Sequence, residues 1–85
     1  MNSMRIESIV LHVGETAMII CYTLSRRADG CYSIYLDNRT TGEQAAAFDI
    51  TRNPMVAEEL YQSLIRGRVT AVTFHDVVED FVAEI

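Results

Sequence analysis

Apolar positions alternate with period two through the first half of the chain and recur at helical spacing through the second. Met4 to Val13, Ala17 to Arg27, Cys31 to Asp37 and Gln44 to Ile50 are rich in β-branched and aromatic residues and are separated by turn signals. This pattern predicts four strands joined as hairpins. After Asn53 and Pro54 the period changes. Val56, Leu60 and Leu64, with Ala57 and Tyr61 beside them, predict a helix with Asn53 as N-cap, Pro54 in the first turn and a stop at Gly67. A second helix is predicted from Thr73, paired with Asp76 as a capping box, with Val72 and Val77 as a hydrophobic staple. Its apolar face would be Val77, Val78, Phe81 and Val82. Residues 68–71 fit either a loop or a short fifth strand.

Each hairpin must place its apolar side chains on one side, and the turns set how that is done. A two-residue Gly14-Glu15 turn, with Gly first as type II′ requires, sets Leu11 opposite Met18 and Ile9 opposite Ile20. A three-residue Ala28-Asp29-Gly30 loop sets Leu24 opposite Ile34 and Tyr22 opposite Leu36. The longer loop around Thr41-Gly42 is expected to bring Phe48 opposite Ile34. The core face is then Ile9, Leu11, Met18, Ile20, Tyr22, Leu24, Tyr32, Ile34, Leu36, Ala46 and Phe48. The fold class that follows is α+β: a single domain over residues 1–85, built as a four-stranded antiparallel meander with two C-terminal helices packed on one face.

The same register turns Val10, Ile19, Cys21, Thr23, Cys31, Ser33, Tyr35 and Ala47 away from the helices. That face lacks the charged side chains expected of a solvated one. Scattered surface hydrophobes are one reading of it. The other is an interface, most simply a twofold homodimer through Val10, Ile19, Cys21, Tyr35 and Ala47. Two helices of about 10–13 residues cover one face of such a sheet and leave the second for a partner.

Composition sharpens this expectation. The chain has 85 residues and is 49% hydrophobic, with one Pro and four Gly, which excludes disorder. At this size burial is marginal, so a partner that covers apolar surface adds stability. Net charge is -5, and every basic residue is a scattered Arg. That disfavours direct nucleic-acid binding. The longest apolar run, around Ala17 to Cys21, is far below the roughly 20 residues of a membrane span. No export signal is legible, and the Asn38-Arg39-Thr40 sequon reads as chance. Cys21 and Cys31 lie too far apart along their hairpin to be bridged, and two free thiols fit a reducing cytoplasm.

The chain offers little for catalysis. No phosphate loop, HExxH, GxSxG or paired-glycine nucleotide fingerprint occurs. His12 and His75 are isolated, and no metal or cofactor site can be assembled. The expectation is a protein that is not an enzyme. Asp76, Glu79, Asp80 and Glu84 lie at helical spacing opposite the apolar face of the last helix, with no basic residue after Arg68. They are either a solvated face or a docking surface for a basic partner.

The strand reading Tyr32-Ser33-Ile34, the helix end at Arg66-Gly67 and the segment Asp76-Val77-Val78-Glu79-Asp80-Phe81 resemble a family of short, uncharacterised proteins of clostridia-like bacteria, grouped as a domain of unknown function. The resemblance implies a bacterial, cytoplasmic protein and carries no catalytic residue with it. The leading expectation is a protein-protein interaction module that self-associates through its sheet and presents the acidic helix to another protein. The alternative is a small acidic inhibitor carried by a phage or mobile element, imitating nucleic acid as anti-CRISPR or anti-restriction proteins do.

Overall fold

A computed structural model describes residues 3–84. Four strands, β1 (Ser3–Val13), β2 (Thr16–Arg26), β3 (Tyr32–Asn38) and β4 (Gln44–Thr51), form one antiparallel sheet in the order β1-β2-β3-β4. Two helices, α1 (Pro54–Arg66) and α2 (Phe74–Ala83), follow and pack on one face. The α+β meander expected from the sequence is the observed fold.

The first two turns work as their residues require. Gly14 takes φ 62 and no positive φ occurs at Glu15, so the hairpin pairs Leu11 with Met18 and Ile9 with Ile20. Gly30 takes φ 90 in the second turn, where Arg27 and Cys31 close the loop. Leu24 then faces Ile34 and Tyr22 faces Leu36, as expected.

The third turn departs from expectation by one residue, and the shift turns β4 over. Ile34 pairs with Ala47, and Tyr35 pairs with Ala46. Ala45 and Ala47 therefore face the helices, while Ala46 and Phe48 face outward. The cause lies in the loop. The buried Asn38 side chain accepts hydrogen bonds from the backbone N–H groups of Thr40 and Thr41, and the Asn38 and Gly42 main chains close the turn with Gly42 at φ 82. The run Ala45-Ala46-Ala47 has no alternation to oppose that choice. A bulge follows, with Asp49 at φ 51 donating its N–H to Ser33 Oγ, so that Ile50 returns to the core while Phe48 stays outside.

The core joins Ile20, Tyr22, Leu24, Ile34 and Leu36 of the sheet to Ala57, Leu60, Tyr61 and Leu64 of α1 and to Phe74 and Val78 of α2. Asn53 caps α1 through Oδ1, which accepts from Met55 and Val56 N–H. At the other end Val69 N–H reaches Leu64 O and Arg68 N–H reaches Ile65 O, which closes the helix with Arg68 in the left-handed position at φ 51. Residues 68–71 form no strand. Val69 is buried there, and its carbonyl accepts the Tyr22 hydroxyl at 2.6 Å. Tyr61 in turn donates to Tyr22 O at 2.7 Å.

The start of α2 differs from the capping box expected. Thr73 has αR backbone and no side-chain cap, because a turn from Thr70 runs directly into the helix. A capping side chain needs extended backbone at that position. Val72 stays exposed, so there is no staple, and Phe74 takes the anchoring role as the first residue of a stripe with Val77, Val78 and Phe81.

Candidate functional site

The outer face of the sheet is where the sequence leaves chemistry unaccounted for. At its outward register positions stand Met4, Ile6, Val10, Ile19, Tyr35 and Phe48, all exposed, from 37% for Tyr35 to 64% for Met4 and Phe48. Strand alternation is the cause: Ile19 and Ile20 are consecutive, so one of them must point away from the helices. Val10 and Ile19 are direct cross-strand neighbours. Tyr35 and Phe48 meet edge to face, with ring centroids 5.6 Å apart.

Charge is nearly absent from this surface. Asp37 is the one ionisable carboxylate or guanidinium at a regular outward position, and Arg39 pairs with it at 3.0 Å. Arginine and glutamate occupy the opposite side. Arg5 of β1 grips Glu58 of α1 through both oxygens and lies over the Tyr61 ring, with its guanidinium carbon 5.0 Å from the centroid. The Arg5 hydrogen bond, with help from Gln62, holds the Glu58 carboxyl below the usual carboxylate range.

The structure divides the expected interface residues. Val10, Ile19 and Tyr35 are exposed on the outer face, as placed by the sequence. Cys21 sits on the same face but is buried, tucked in the pleat with its Sγ 3.1 Å from Ser8 Oγ. Ala47 is the correction: it faces the helices, because the third turn moves β4 by one residue, and Ala46 stands beside Tyr35 in its place. Phe48, expected in the core, joins the outer face for the same reason. Met4 and Ile6 were legible as outward positions once the first hairpin's register was set, since they are even-numbered like Val10. Both cysteines are free thiols. Arg52 Nε donates to Cys31 Sγ at 3.4 Å, and the Cys31 backbone N–H holds Asp29 below its ordinary range.

Asp76, Glu79, Asp80 and Glu84 are all exposed along α2. None takes part in the ion pairs among the described residues, which join Arg5 to Glu7 and Glu58, Arg27 to Asp49, and Arg39 to Asp37. His75 is exposed in the first turn, set edge-on to Phe74. Among the described residues no group of three or more His, Cys, Asp or Glu side chains comes together to hold a metal. No helix there is long and apolar enough to cross a membrane.

Comparison with curated proteins and with solved structures finds no match to the chain. The sequence pattern that defines the family of unknown function DUF6514 matches residues 4–84, all four strands and both helices, and the chain belongs to that family.

Proposed function

We propose that the protein is a non-enzymatic protein-protein interaction module that self-associates through the outer face of its sheet. The carrying observation is the set of large apolar side chains exposed together on a face almost free of charge. Interface centres have this composition: aromatic and aliphatic anchors with charge depleted. The face also has the size for it. Four strands about 4.8 Å apart and about seven residues long, at about 3.3 Å per residue, give a footprint of roughly 450 Å². The 11-residue β1–β2 ladder extends that footprint, and side-chain relief raises the accessible area toward the ~800 Å² per partner of a standard interface. A second copy is the simplest occupant, since a twofold axis presents the same uncharged surface to itself. The free thiols suit the reducing cytoplasm of a bacterium.

Light scattering at micromolar concentration tests this. The wild type is expected to be a dimer, and Ile19→Arg with Tyr35→Glu a folded monomer, because each charge would be left unpaired in an apolar contact. A monomeric wild type overturns self-association. It would favour a second reading, in which α2 docks a basic protein, nucleic-acid mimicry included. The observation behind that reading is that Glu79, Asp80 and Glu84 oppose the helix dipole, with no basic residue in the last turn to relieve them.

A further inference from the structure

The outer face carries both a protruding ring and a recess of a size to receive one. The ring is Phe48, 64% exposed and leaning edge-on against Tyr35. The recess, ≈ 310 Å³, lies over β3 and β4 and is lined by Tyr35, Asp37, Gln44 and Ala46, with Leu36 and Ala45 between them. Its walls are two cross-strand pairs, Tyr35 with Ala46 and Asp37 with Gln44. Ala46 supplies the space, for any larger residue at that outward position would fill it. A cavity of about 150 Å³ already accepts a benzene ring, so a phenyl group fits with room to spare.

We propose that Phe48 of each copy seats in the recess beside Tyr35 of the other copy. The proposal rests on the self-association reading and names what anchors it. Phe48 and Ala46 are two positions apart on β4, about 6.6 Å along the strand. A twofold axis lying in the interface and crossing β4 between them exchanges ring and recess, so each copy gives one ring and accepts one. The closed contact needs no charge to be desolvated except Asp37, which is already paired with Arg39. The bulge at Asp49 supports the arrangement. It returns Ile50 to the core two residues after Phe48, so the ring projects without drawing the rest of β4 out of the fold.

Three samples test it by sedimentation and native mass spectrometry: Phe48→Ala, Ala46→Phe, and an equimolar mixture of the two. Phe48→Ala removes the ring, and Ala46→Phe fills the recess without removing apolar surface. Each alone is expected to weaken dimerisation at least tenfold. The mixture is expected to form a heterodimer preferentially, because the intact ring of the Ala46→Phe chain meets the open recess of the Phe48→Ala chain, while the filled recess meets no ring. Phe48→Ala touches no core residue, so an unchanged dimer constant for it overturns the proposal whether or not Ala46→Phe folds. A mixture with no preference for the heterodimer overturns it as well. If these variants dimerise normally while Ile19→Arg with Tyr35→Glu is monomeric, only the seating of the ring fails and the interface stands. If the wild type is itself monomeric, both fail.

Discussion

Ile19 and Ile20 are neighbours in sequence, identical in chemistry and members of the same strand, yet Ile20 is fully buried and Ile19 is 47% exposed. The same contrast holds across the whole sheet. Tyr22, Ile34 and Leu36 are closed off by α1 and α2, whereas Val10, Tyr35 and Phe48 on the reverse side stay exposed, with no helix over them. Both faces are apolar at their centres, so the difference does not come from the strands. It comes from the supply of cover: 13 residues of α1 and 10 of α2 suffice for one face. The lesson is that exposure on the outer face follows from how much helix the chain carries and not from polar side chains on the strands.

The sharpest way to test this contrast is to truncate the two isoleucines separately. Ile20→Ala should cost about 2–4 kcal/mol, measured by urea unfolding, because it opens a cavity in a filled core. Ile19→Ala should cost less than about 1 kcal/mol in dilute solution and should act mainly on the concentration dependence of unfolding. Equal, concentration-independent losses at both positions would erase the distinction between the faces.

A second test uses the hydroxyl that the inner face encloses. Burial pushes Tyr22 up to about 12 from an ordinary value near 10, and burial likewise raises Tyr61. A raised pKa means that the folded state holds the proton more tightly than the unfolded chain does. The stabilisation is therefore complete below pH 10 and is lost as pH rises from 10 toward 12. Up to about 2 kcal/mol should disappear over that window. Tyr22→Phe should flatten the profile while costing stability at neutral pH, since the Val69 carbonyl would lose its donor. A flat wild-type profile between pH 10 and 12 would contradict the closure of this face.

The smallest effect is expected at the point where β4 divides its side chains between the faces. Asp49 holds φ 51, a conformation that a β-branched residue adopts only under strain. Asp49→Val should therefore destabilise the fold by about 1 kcal/mol. It should also pull Ile50 away from the core, visible as loss of its methyl contacts to that core by NMR. A neutral Asp49→Val would mean that the bulge is not what returns Ile50 to the inner face.

How far these features could be read in advance depended on the kind of signal. The first two hairpins were legible to the residue because Gly14 and Gly30 specify turns of known length, and flanking alternation agrees with them. The third was not. Its loop is set by the Asn38 carboxamide binding the backbone of Thr40 and Thr41, and three consecutive alanines have no preferred face. That one-residue shift moved Ala47 inward and brought Ala46 and Phe48 into the candidate interface. In the helical half, Asn53-Pro54 named a start that the structure keeps. Thr73-Asp76 matched a capping motif in sequence, but the turn from Thr70 left no extended backbone at Thr73 for it to use.

The four strands, both helices, the side of the sheet that holds most of the core, and the apolar character of the side that does not could all be read from the sequence. These follow from local periodicity and turn chemistry, which act within a few residues and are written there. Which way β4 faces, that Phe48 stands beside Tyr35, and that a recess opens over Ala46 emerge only in the folded chain. Those depend on a side chain folding back on its own loop and on helices choosing small residues to pack against. Period-two patterning constrains neither when the strand in question is alanine on both faces.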